Sequence, residues 1–201
     1  ARKLGWDKED EDVMLKMFLL LYADDTAICA ESAQDLQMAL NSMSEYCEKW
    51  SLLINTSKTK VVVFSRGKIR NIPHFEYRGQ QVEVVFGFQY LGIFFNYNNK
   101  FYAAQKQLYD KASRAMYCLL RNSKKLMLPL DIKIELFDRM IVPILLYGCE
   151  VWCPTISKLA SKLQLRFYKI VMKMNKSTPS CMVYGETGQF PLEIQAKSRM
   201  L

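Results

Sequence analysis

The stretch from Phe18 to Ala30, FLLLYADDTAICA, sets two adjacent carboxylates between two apolar runs. Short apolar runs bounded by polar breaks read as buried strands. Two such runs joined by two polar residues read as a tight β-hairpin. Aspartate tolerates the positive φ such a junction demands, which puts Asp24 and Asp25 at the turn. The hairpin then holds paired negative charge on rigid backbone at one tip of a buried sheet. Clustered carboxylate oxygens suit Mg²⁺. A turn of merely solvated acids would carry the same short pattern, so the rest of the chain has to decide.

With 201 residues there is room for one good core, or for one domain and a smaller appendage. Apolar residues make up 50% and charged residues 24%, a balance that excludes a disordered tail. The net charge of +8 points to a polyanionic partner, nucleic acid ahead of an anionic membrane. The cysteines (Cys29, Cys47, Cys118, Cys149, Cys153, Cys181) form no C-x-x-C pair, and His74 is the single histidine, so zinc-site spacings are absent. Most lie on apolar segments and read as reduced thiols of a nuclear or cytoplasmic protein without a secretory signal. The run at 13–23 contains Lys16 and is too short to span a bilayer. The acidic cluster of residues 7–12 reads as a solvated connector.

After the hairpin, Ser32 followed by Asp35 is a capping signal. Leu36, Leu40, Met43, Cys47 and Trp50 then give an amphipathic helix to about Trp50. Val61, Val62, Val63 and Phe64 predict a β-branched strand entered through Lys58-Thr59-Lys60. A basic loop (Arg66, Lys68, Arg70) leads to a strand at 75–77, a turn at Arg78-Gly79 and a strand at 82–85. Residues 88–95 read as another strand, with Gly92 inside it marking a bulge or a close backbone approach.

From Lys100 to about Leu126 the period becomes helical, with Phe101, Leu108, Ala112, Ala115 and Leu119 on one stripe. Lys100, Lys111, Arg114, Arg121 and Lys125 fall on a narrow arc of another face. Asp131 can cap a helix over 132–141 that Pro143 kinks and Tyr147-Gly148 ends. The clearest amphipath spans 156–175. Its seam is Ile156, Leu159, Leu163, Phe167, Ile170 and Met174, and its cationic row is Lys158, Lys162, Arg166, Lys169, Lys173 and Lys176. Like charges at i,i+4 repel, and a phosphate backbone would relieve that repulsion. An acidic membrane could do the same. Turns at Thr178-Pro179 and 185–188 precede a closing helix from Pro191.

The order of these features resembles the reverse transcriptase of non-LTR (LINE-type, jockey-like) retrotransposons, from the end of the palm through the thumb. Leu20-Leu21-Tyr22-Ala23-Asp24-Asp25-Thr26 is similar to motif C. Trp50-Ser51-Leu52-Leu53-Ile54-Asn55-Thr56-Ser57-Lys58-Thr59-Lys60-Val61 resembles motif D, and Phe88-Gln89-Tyr90-Leu91-Gly92-Ile93 resembles motif E, the primer grip. Tyr147-Gly148-Cys149-Glu150-Val151-Trp152 resembles a stretch these elements carry downstream.

The resemblance implies an α+β fold: a partial polymerase palm, an antiparallel sheet backed by a helix, over residues 1–98, and a helical thumb-like region over 99–201. It implies RNA-directed DNA synthesis by two Mg²⁺ ions. Asp24 and Asp25 would be catalytic metal ligands and Lys58, ahead of Lys60, the general acid. Tyr22, Tyr90, Leu91 and Gly92 would meet the primer. Lys111, Arg114, Arg121, Lys125, Lys158, Lys162, Arg166, Lys169 and Lys173 would hold the RNA template and DNA primer, with a dNTP as substrate and no membrane partner. Motif A, motif B and the fingers have no counterpart in this sequence, which implies weak Mg²⁺ binding and no polymerisation by this stretch alone. A non-catalytic nucleic-acid-binding module and a decayed element are the alternatives.

Overall fold

The computed structural model describes residues 18–65, 67, 72–98, 100–152 and 158–199. The acidic cluster at 7–12, the early part of the 13–23 run, the basic-loop residues Arg66, Lys68 and Arg70, and Cys153 and Ile156 lie outside the described residues. Contacts divide the chain into two compact units, Ala1–Phe88 and Gln89–Leu201. The elements form the mixture of sheet and helix that the sequence predicts, an α+β arrangement with a helical second part.

In the first unit β1 (Phe18–Tyr22) and β2 (Asp25–Cys29) pair antiparallel, with Leu19 opposite Ile28 and Tyr22 opposite Asp25. Helix α1 (Ala33–Lys49) follows. Its cap is the one predicted: the Asp35 amide donates to Ser32 Oγ (3.1 Å) and the Ser32 hydroxyl donates to the Asp35 carboxylate (2.6 Å). Leu40 and Cys47 are buried, whereas Trp50 is exposed at the helix end. Next come β3 (Lys60–Val61), β4 (Phe75–Tyr77) and β5 (Gln80–Val84), in the order β3-β5-β4. β3 runs parallel to β5 and β4 antiparallel to it. The strand predicted at 61–64 stops at Val61, and Phe64 is exposed where no ladder continues. Leu40, Val61, Phe75, Tyr77 and Val82 make this unit's core, with Ile28 and Leu36 packed against it.

The β1–β2 hairpin is not the fully buried element the sequence suggests. Leu20 and Leu21 are 46% and 57% exposed. Alternation explains part of this, because successive side chains of a two-stranded ribbon face opposite sides and only one is covered. Ile28 takes the covered side.

The division between the units falls within β6 (Gly87–Tyr90), which forms a hairpin with β7 (Ile93–Asn96). The predicted single strand over 88–95 is broken here, because Leu91 and Gly92 both adopt positive φ, 47° and 82°, and reverse the chain. Helix α2 (Tyr102–Lys125) follows. The next predicted helix is divided, not kinked: α3 (Leu130–Met140) ends at Ile141, and a short α4 (Val142–Leu145) starts with Pro143 in its first turn. Pro143 has no N–H to donate, a loss that costs nothing at a helix start. Asp131 lies in the first turn of α3, and Pro129 takes the cap position instead.

The remaining helices are α5 (Cys149–Trp152), α6 (Leu159–Val171), α7 (Ser180–Thr187) and α8 (Leu192–Ser198). Gly185 lies within α7, not in a turn. The core gathers Met116, Phe137, Ile141, Leu163, Phe167 and Tyr168, with Phe137 stacked on Phe167 at 4.3 Å between centroids. Gln164 is fully buried yet bonded: its amide nitrogen donates to the Phe190 carbonyl (3.1 Å) and Tyr184 donates to its oxygen (3.2 Å). Ile170, expected on the α6 seam, is 44% exposed.

α1, α2 and α6 end alike. Leu52, Leu128 and Met174 N–H groups reach the Cys47, Ser123 and Lys169 carbonyls, and the residue before each, Ser51, Met127 and Lys173, has positive φ. This is the paired-bond helix stop in which the reversing residue is ordinarily glycine.

Candidate active-site hairpin and cationic helices

The two-residue turn of the first hairpin is Ala23-Asp24, one position earlier than the expected Asp24-Asp25, because Asp25 already pairs with Tyr22. Ala23 takes the positive φ, 52°. For alanine the left-handed region costs about 1–2 kcal/mol. The result is a tight tip on which Asp24 occupies the turn and Asp25 the first strand position, sharing a face with Tyr22. Both carboxylates and Tyr22 are exposed. Among the described residues neither carboxylate has an ion-pair partner.

The donors fit a hard cation. Mg²⁺ takes one or two carboxylates and completes its shell with water and substrate phosphate. No group of three or more His, Cys, Asp or Glu converges among the described residues.

Lys58 is exposed in a turn built on Asn55, whose side-chain oxygen accepts from the Ser57 amide (3.1 Å) and hydroxyl (2.6 Å). Lys60 is committed elsewhere: its ammonium donates to Glu83 at 2.6 Å, across the β3–β5 register. Of the two lysines, Lys58 is the one not held in an ion pair among the described residues.

In the second unit, Leu91 and Gly92 form the β6–β7 turn and Tyr90 is half-buried at the end of β6. The missing side chain of Gly92 faces Tyr147, whose Cε1 would lie 3.1 Å from an added Cβ. On α2, Lys111, Arg114, Arg121 and Lys125 are exposed on one side. On α6 the cationic row is shorter than the sequence suggests. Lys158 caps the helix and Lys162, Arg166 and Lys169 lie on it, while Lys173 reverses the chain beyond its end. Lys169 donates to the Lys176 carbonyl (2.8 Å) and is half-buried.

Three contributors escape a sequence reading. Tyr117 receives the Arg166 guanidinium over its ring, and its position between Arg114 and Arg121 on α2 was the available signal. Gln37 bonds both backbone groups of Glu76, and nothing in its spacing announces this. Tyr147 stood in a recognised stretch, but no periodicity brings it to Leu91.

Residues 6–95 match the family model described as reverse transcriptase (RNA-dependent DNA polymerase). The chain is 25% identical over 154 residues to an RNA-directed DNA polymerase from the mobile element jockey of Drosophila melanogaster, covering 72% of this chain and 16% of that protein. It is 27% identical over 148 residues to a probable RNA-directed DNA polymerase from transposon BS of the same organism, covering 68% of this chain and 16% of that protein. No solved structure matches. The chain is thus similar to reverse transcriptases of mobile elements and spans about a sixth of the length of these curated relatives. None of its described helices is long and apolar enough to cross a membrane.

Proposed function

We propose that this chain serves RNA-directed DNA synthesis in a non-LTR retrotransposon reverse transcriptase as the end of the palm and the thumb. The observation that carries the reading is the tight Tyr22–Asp25 tip, with its two exposed carboxylates unpaired among the described residues. Asp24 and Asp25 would hold Mg²⁺, which when bound activates the primer 3′-hydroxyl and neutralises the triphosphate. Lys58 would give a proton to the departing pyrophosphate, a role open to an exposed ammonium outside any ion pair. Tyr22 would rest against the primer end, and the backbone of Tyr90, Leu91 and Gly92 would grip it. The exposed cations of α2 and α6 would hold the RNA–DNA hybrid by neutralising phosphates.

Primer extension with Mg²⁺ tests this, comparing the 201-residue chain with one extended upstream. The extended chain should synthesise DNA, and Asp24→Asn should abolish that synthesis without changing hybrid affinity. Undiminished synthesis by an Asp24→Asn, Asp25→Asn double variant would remove the catalytic reading and leave the exposed cations to support a binding module.

A further inference from the structure

An exposed aromatic residue, Tyr147, holds the β6–β7 turn from one side. The Tyr147 hydroxyl donates to the Leu91 carbonyl at 2.9 Å. The same ring lies against the bare α-carbon of Gly92, where an added Cβ would stand 3.1 Å from Cε1. Leu91 and Gly92 are both left-handed, a conformation that is costly for leucine and that an outside contact helps to sustain.

Tyr147 is itself anchored. Its carbonyl accepts from the indole N–H of Trp152 (2.9 Å), and Trp152 is buried in the helical core. The next residue, Gly148, has φ 63° and packs so closely under Ile93 that any side chain would collide with its Cδ1. The path therefore runs from buried Trp152 through Tyr147 to the turn, with Gly148 letting β7 settle beside it. Tyr147 is 49% exposed and lies outside the core cluster, so burial alone does not account for so large a ring here.

We infer that Tyr147 is a positioning residue that fixes the Leu91–Gly92 turn in the shape that presents its backbone to the primer 3′ end. This rests on the reading of that turn as the primer grip. The Tyr-Gly-x-Glu-x-Trp stretch thereby gains a role as the seat of the hairpin. Tyr147 acts through Leu91 and Gly92 and need not touch nucleic acid.

The test uses the full 201-residue chain and an RNA–DNA hybrid carrying 2-aminopurine either at the primer 3′ terminus or well upstream. Amide hydrogen exchange at residues 89–94 should accelerate roughly five- to tenfold in Tyr147→Phe, which loses one hydrogen bond, and further in Tyr147→Ala. The terminal-probe response to binding should shrink in the same order. The upstream probe should not change, and Kd should stay within about twofold, because phosphate contacts set affinity. Unaltered exchange in Tyr147→Ala, or a wild-type terminal response despite faster exchange, overturns the inference. A wild-type chain that binds hybrid with no terminal response sinks the primer-grip reading itself. Tyr147→Phe keeps the ring and guards against a variant that merely fails to fold.

Discussion

Arg166 of α6 lies over the ring of Tyr117 of α2, its guanidinium carbon 5.3 Å from the ring centroid. The contact joins the two cationic helices at one point, with Arg114 and Arg121 on either side of Tyr117 in the sequence. A guanidinium stacked this way keeps its N–H edge free for phosphate.

Anisotropy titrations of an RNA–DNA hybrid across salt should show Arg166→Ala lowering the salt slope by about 1. Tyr117→Ala should weaken binding without changing that slope, since it removes no charge. Wild-type-like binding after charge reversal of Lys158, Lys162, Arg166, Lys169 and Lys173 would rule out this face as the hybrid contact.

Met127 closes α2 with φ 48° and is 89% exposed, so its side chain gives little in return for the backbone strain. Met127→Gly should stabilise the chain by about 1 kcal/mol. A thermal melt should rise by roughly 2–4 °C. An unchanged or lower midpoint would contradict the strained-stop interpretation.

Phe137 and Phe167 are fully buried and stacked, so each truncation leaves a cavity that helices cannot readily close. Phe137→Ala should cost about 3–5 kcal/mol, read from denaturant unfolding.

Burial pushes the Tyr168 hydroxyl up to about 12, against the opposing effect of its Gln164 hydrogen bond. A raised phenol pKa contributes stability that is complete below the unfolded value near 10 and lost as pH rises towards 12. Unfolding free energy should therefore fall through that window, and Tyr168→Phe should flatten the fall. A slope equal in both proteins would contradict the assignment.

What could be read from the sequence was local and periodic. The Ser32 cap, the Arg78-Gly79 turn and the α2 stripe through Leu108, Ala112 and Leu119 each depend on neighbours within a few residues. The carboxylate hairpin was also legible, although its turn slipped by one because cross-strand pairing of Tyr22 with Asp25 fixes the register. Gly92 read as a bulge or a close backbone approach inside one strand because a positive φ at Leu91 carries no sequence mark. The α6 row was overextended because period alone cannot see Lys173 reversing the chain. Lys60 and Glu83 came together only through a parallel pairing across a long connection.

Strand β4 has only three residues, and its hydrogen-bonding edge away from β5 belongs to Glu76. Gln37 of α1 meets it with a side-chain amide, accepting from the Glu76 N–H at 3.0 Å and donating to its carbonyl at 2.8 Å. A primary amide is thus doing what an adjacent peptide would do. That flank is sealed against recruitment of a foreign β-segment, and among the described strands the other edge of the sheet is β3, with Lys60 and Val61.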